Sequence, residues 1–243
     1  MTRSRARWAT LLGVLSLGAI CSWIHYITPE IEGIDDLIYR HSTVWMRVPS
    51  WNDFMARVSR ATNIVPLVIA SAVFAIGITW SYSVRLTIWF LAVSLVSSQL
   101  VTFLKDLAGR QRPSGDFLLA TNSWPSGHAT GTMTLALTVL AIAWLAADER
   151  MMRFATWLLV PMAILVGLSR VGLRAHWGSD VVSGWMLSAT LVMAMLSTQG
   201  PVRPSRSTRP VLLASTVAVA IIVGFALRGP SPLVLEISSQ ALP

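Results

Sequence analysis

Apolar residues fall in long blocks that charged residues interrupt only at their ends. Uncharged stretches occupy 8–29, 61–84, 86–104, 117–147, 154–169, 181–202 and 210–227. A bilayer core about 30 Å thick takes ~20 mainly apolar residues per crossing helix. The blocks therefore predict spans at 8–28, 62–81, 86–105, 127–147, 154–173, 180–197 and 211–227. The fold class that follows is all-α, a polytopic transmembrane helical bundle. Its organisation is a six-span core (1–197), a linker (198–210) and an appended C-terminal helix and tail (211–243). The linker, TQGPVRPSRSTRP, is rich in Pro, Ser and Arg and reads as an exposed basic segment. Between the first two spans, Ile31, Ile34, Leu37, Ile38, Val44 and Trp45 recur at near-helical spacing among Asp35, Asp36, Arg40 and Arg47. Segment 29–61 thus reads as a helix lying in the membrane interface, with Trp45, Trp51 and Phe54 at the depth of an aromatic belt. Simple anchoring is its plainer role and a substrate-specific lid the alternative.

Composition narrows the class further. Of 243 residues, 54% are hydrophobic and only 12% charged, against roughly 25% charged in an ordinary soluble domain; the mean hydropathy is +0.62. Soluble, disordered and disulfide-stapled classes are excluded. Cys21 is alone, which removes internal disulfides and cysteine-based metal clusters. The N-terminus, Arg3, Arg5 and Arg7 before an apolar run from Trp8, imitates a signal peptide. The run is too long and lacks a small-x-small cleavage site, so 8–28 reads as a retained span. A net charge of +8 raises nucleic acid as a partner, but the basic residues are scattered over loops with no basic helix face, so no nucleic-acid binding is expected.

Loop 105–128 follows the third span, and 169–180 straddles the junction of the fifth and sixth. Two crossings separate them, so both face one compartment. With the N-terminus inside, that compartment is outside. Arginine counts support this only after the clustered Lys105, Arg110, Arg112, Arg170 and Arg174 are set aside, which leaves nine basic residues inside against five outside.

Three polar clusters carry candidate chemistry. In KDLAGRQRP, Lys105 and Arg112 stand i, i+7, two helical turns apart on one face, and Pro113 bars the helix from continuing. In PSGH, Ser126, Gly127 and His128 open the fourth span, where free N–H groups and the helix dipole favour an anion and glycine permits close approach. In SRVGLRAHWGSD, Arg170 precedes His176 and Asp180, whose i, i+4 spacing lets the carboxylate hold Nδ1–H and leave Nε2 free. Each cluster alone is unremarkable, as a topology arginine, a helix cap or a solvated histidine. Together they supply three cations, a backbone anion nest, two histidines and an orienting carboxylate, which is the inventory of phosphoryl transfer.

The three clusters resemble the signature of the type-2 phosphatidic acid phosphatase and vanadium haloperoxidase superfamily, KxxxxxxRP, PSGH and SRxxxxxHxxxD, with every defining position filled over 105–180. The six-span core also resembles the family's membrane phosphatases. The resemblance implies that His176 attacks phosphorus to form a phosphohistidine and that Asp180 orients it. It implies that His128 protonates the leaving oxygen, and that Lys105, Arg112, Arg170, Ser126 and Gly127 hold the phosphoryl oxygens. It implies no cofactor and no metal, and the chain has no HExxH and no acidic cluster near the motifs. The membrane composition points to a lipid phosphate substrate: undecaprenyl pyrophosphate, phosphatidic acid, phosphatidylglycerol phosphate or a lipid A phosphate. The expected location is a bacterial cytoplasmic (inner) membrane with the site facing the periplasm or exterior. The sequence leaves open two other functions, a lipid phosphotransferase sharing the first half-reaction and a non-enzymatic transporter or scaffold. It says nothing of oligomeric state.

Overall fold

The computed structural model describes residues 28–113, 122–199, 202 and 209–227. The expected first span lies outside them except for Thr28. Eight helices are present among the described residues: α1 (Thr28–Met46), α2 (Pro49–Ala61), α3 (Ile64–Ser81), α4 (Val84–Ala108), α5 (Gly127–Leu145), α6 (Glu149–Gly172), α7 (Gly178–Leu196) and α8 (Arg209–Leu227). Helices α3 to α7 are long and apolar enough to cross a membrane; the apolar part of α8, Pro210–Phe225, is shorter. The chain is an integral membrane protein.

Segment 29–61 forms two helices, not one. Pro49 fixes its own φ as the first residue of α2 and pushes Val48 into an extended conformation (φ −79°, ψ 112°) that ends α1. Helix α4 opens on Ser83, whose side chain accepts from Leu86 N–H. The fifth expected span gains length because Asp148 caps it through Arg150 N–H and Met151 N–H, so Glu149, Arg150 and Arg153 form its first turns. Within α6 a π-helical turn at Ala155–Leu159 precedes Pro161, which lacks an N–H for the helical ladder.

Helix α5 is the centre of the bundle and packs against α4, α6 and α7. Its contact faces use small and hydroxylated residues, as expected where lipid removes the hydrophobic drive between helices. Ser97 Oγ and Thr134 Oγ1 lie 3.0 Å apart, Thr134 donates to Ser188 at 3.0 Å, and Ser188 Oγ lies 2.9 Å from the Thr130 carbonyl. Large apolar side chains such as Ile88, Trp157 and Leu168 point outward, the arrangement a lipid solvent selects. An apolar core of Phe74, Ile78, Phe90, Ile142 and Met151 closes one end, where Tyr82 donates to Asp148 at 2.9 Å. The polar clusters gather at the other.

Candidate active site

Local backbone rules place each candidate. The chain leaves α4 through Gly109, at φ 60°, whose N–H returns to the Lys105 carbonyl at 3.1 Å. The helix therefore stops at Ala108, and Lys105 and Arg112 do not share a helical face. The left-handed glycine ends the helix four residues before Pro113. Arg112 instead reaches the site from the non-helical chain beyond α4: its Nη1 lies 2.6 Å from the Ala175 carbonyl and 3.2 Å from His176 Nε2. Lys105 donates to the carbonyls of Asn122 and Ser123, while Asn122 Nδ2 returns to the Lys105 carbonyl at 2.9 Å. Ser123 completes this stitch, with its N–H on the Arg110 carbonyl at 2.8 Å and its hydroxyl on the Gln111 carbonyl at 3.1 Å.

Ser126 is the N-cap of α5, and its N–H donates to the Asp180 carbonyl at 3.1 Å. Its hydroxyl is buried without a partner, so a donor stands unused beside a helix start with free N–H groups. Gly127 is not forced by packing, because a Cβ there would meet only Val101 Cγ1 at an ordinary 3.7 Å. His128 Nε2 lies 3.0 Å from Asn63 Oδ1.

Helix α6 ends at Gly172, and Arg174 turns the chain in the left-handed region at φ 56°. The Arg170 carbonyl then accepts from both Ala175 N–H (3.0 Å) and His176 N–H (3.2 Å). His176 lies just outside α7, in the junction between the fifth and sixth expected spans. Trp177 is the N-cap, and Asp180 reaches back from the first turn to accept from Trp177 N–H at 2.9 Å and to face His176 Nδ1 at 3.4 Å. Arg170 donates to Ser59 of α2, and its Nε is buried without a partner.

His176 is 3% exposed. Burial first, then the charges of Arg170, Arg112 and Lys105, push its pKa well below the ordinary histidine value. A neutral ring with Nδ1–H toward Asp180 presents an Nε2 lone pair, the form a nucleophile needs. All eight sequence candidates thus lie at one end of the bundle. The sequence reading passed over Asp35, Ser59, Asn63, Arg110 and Ser123. Arg110 was legible as a second arginine inside KDLAGRQRP, and Asp35 as an acid on an apolar helix; Ser59, Asn63 and Ser123 carry no sequence signal. Arg60, beside Ser59, has all three guanidinium nitrogens buried without a partner. Among the described residues no three His, Cys, Asp or Glu side chains converge as a metal set.

Fold and site together define an integral-membrane helical bundle with a histidine–carboxylate pair beneath three cations. Residues 87–204 match the PAP2 superfamily. Over 87 residues the chain is 34% identical to an undecaprenyl-diphosphatase of Sulfolobus acidocaldarius, a stretch covering 33% of this chain and 36% of that one. The chain thus spans about a third of the length of that relative. It also superposes on a transmembrane PAP2-type phosphatidylglycerolphosphate phosphatase from Bacillus subtilis with a TM-score of 0.61, covering 80% of this chain and 94% of that chain at 22% identity. At that identity the likeness speaks for the fold.

Proposed function

We propose that this protein is a metal-independent membrane phosphatase that releases phosphate from a lipid phosphate or diphosphate through a phosphohistidine on His176. The observation that carries the reading is the setting of His176, with Nδ1 turned to Asp180 and Nε2 facing Arg112 at 3.2 Å within the field of Lys105, Arg112 and Arg170. Nε2 attacks phosphorus as the bond to the leaving oxygen breaks, and His128 gives that oxygen its proton. Water, deprotonated by His128, then cleaves the N–P bond and releases phosphate. The three cations, the Ser126 hydroxyl and the first N–H groups of α5 hold the phosphoryl oxygens as charge builds. The two relatives bear the names of enzymes acting on lipid phosphates, which supports a lipid-borne substrate. With the clustered Lys105, Arg110, Arg112, Arg170 and Arg174 set aside, nine basic residues inside against five outside favour a site on the outer face of a cytoplasmic membrane.

The test is phosphate release by the purified protein from undecaprenyl diphosphate, phosphatidic acid and phosphatidylglycerol phosphate, with acid-labile phosphohistidine trapped from labelled substrate. His176→Ala is expected to stay folded and lose several orders of magnitude in turnover. Retention of more than about a tenth of wild-type turnover would refute the covalent mechanism.

A further inference from the structure

Asp180 is fixed from two sides. Its Oδ2 faces His176 Nδ1 and Trp177 N–H, while Oδ1 accepts from Arg110 Nη1 at 2.7 Å. The same Nη1 donates to the Ser179 hydroxyl at 2.7 Å, and Arg110 Nη2 donates to Asp35 Oδ2 at 2.7 Å. Asp35 is 1% exposed. It also accepts from Ser179 N–H at 2.9 Å and from the Ser179 hydroxyl. Trp177 covers the guanidinium, with the Arg110 carbon 5.6 Å from its ring centre, and its own ring lies 5.9 Å from Tyr39.

Asp35 belongs to α1, whose residues divide unusually. Asp35, Tyr39, Ser42 and Met46 repeat at helical spacing on the less exposed side, whereas Ile34, Leu37, Val44 and Trp45 are exposed. The exposed side is mixed, with Glu32, Asp36, Arg40 and His41 beside those four apolar side chains, a composition that suits the lipid–water interface. The helix sits directly on the start of α7, where a Cβ at Gly178 would meet Ile38 Cδ1 at 2.9 Å and Asp35 Oδ1 at 3.4 Å. Arg110 is therefore the link between α1 and the carboxylate that faces His176.

We propose that Arg110 is a positioning residue, setting Asp180 for His176 while α1 is seated through Asp35. The physical reason is geometric. A carboxylate held at one oxygen can rotate about its Cβ–Cγ bond, whereas one held at both keeps its plane, and with it the plane of the imidazole. A guanidinium fork can bridge two carboxylates at fixed angles, and an ammonium cannot reproduce that geometry.

This inference rests on the phosphatase reading, so wild type and His176→Ala are measured beside the new variants. The probe is undecaprenyl diphosphate in detergent micelles, assayed with full-length protein that is monodisperse and melts cooperatively. Arg110→Lys is expected to lower kcat at least about tenfold with KM within about threefold, because the group acts after binding. Asp35→Asn is expected to lower kcat about fivefold alone and less than twofold in the Arg110→Lys background, since the two act through one link. Added guanidinium ion is expected to restore part of the kcat of Arg110→Ala, which a general loss of folding would not allow. Wild-type kcat in Arg110→Lys, a change confined to KM, or full additivity with Asp35→Asn would overturn the proposal. A wild type that releases no phosphate from undecaprenyl diphosphate, phosphatidic acid or phosphatidylglycerol phosphate, or a His176→Ala that still does, would instead reject the phosphatase reading itself.

Discussion

His176 is where sequence, burial and charge act on a single group. Its folded-state pKa lies well below the unfolded value of about 6.5. The neutral form is therefore favoured in the folded protein, and the associated stability is present above about pH 6.5 and lost as pH falls toward the folded pKa. Histidine-labelled NMR of the four histidines, with the His176 signal assigned by its absence in His176→Gln, gives the check. At pH 6.0 that ring is expected to be neutral, whereas an ordinary histidine would be about three-quarters protonated; a protonated His176 at that pH would contradict the electrostatic account. Lys105 is the chain's only lysine beside 18 arginines. Its ammonium serves two carbonyls of the loop before α5, those of Asn122 and Ser123. A compact, rotatable donor suits that pair better than a planar fork. Lys105→Arg is expected to lose at least about tenfold in kcat/KM, roughly 1.4 kcal/mol, with Arg85→Lys at the far end of α4 as an unaffected control.

Two glycines at the start of α5 and along α7 separate packing from chemistry. A Cβ at Gly184 would stand 2.7 Å from Thr130 Oγ1 and 3.1 Å from the Ser126 carbonyl, so α7 and α5 touch at the first turn of α5. Gly184→Val is expected to destabilise by about 1–3 kcal/mol, the usual penalty of overpacking, and to lower turnover by displacing Ser126. A fall in melting temperature in detergent is the measurement. Gly127 has room for a methyl against Val101. Gly127→Ala is expected to leave the melting temperature near that of wild type while weakening vanadate inhibition about tenfold, because the methyl occupies the approach of an oxyanion. Loss of stability without loss of vanadate affinity would show that the glycine serves the helix start alone.

Across the whole molecule, one end holds an apolar core and the Tyr82–Asp148 contact, and the other holds every candidate residue. Helix α8 runs along α3, where Gly77 admits it: a Cβ there would meet Ala214 Cβ at 2.6 Å, and Val211 N–H donates to Ser81 at 3.1 Å. A site whose charges come from Lys105, Arg112 and Arg170 needs no bound ion to neutralise a phosphoryl group. Activity is expected to persist in EDTA and to be inhibited by vanadate, which takes the five-coordinate shape of the transferring phosphoryl group. Loss of phosphate release on chelation, restored by Mg²⁺, would contradict that account.

The sequence by itself determined the five crossing helices α3 to α7, because span length and apolar runs answer to bilayer thickness without reference to neighbours. It also determined the candidate set, since three local patterns between Lys105 and Asp180 name the residues whatever their packing. It did not determine how those patterns reach one another. Spacing placed Lys105 and Arg112 on one helix, but the left-handed Gly109 ends α4 and sends Arg112 across to Ala175 and His176. Spacing likewise paired His176 with Asp180, and the tertiary structure shows how, by a carboxylate reaching back past the N-cap of α7. The division of 29–61 at Pro49 was a local fact left unread; the role of Asp35 was not local at all. Its partners, Arg110 and Ser179, lie 75 and 144 residues away along the chain. Only the docking of α1 onto the start of α7 brings them together, because a buried carboxylate is identified by its counter-charges and those come from elements that no periodicity connects.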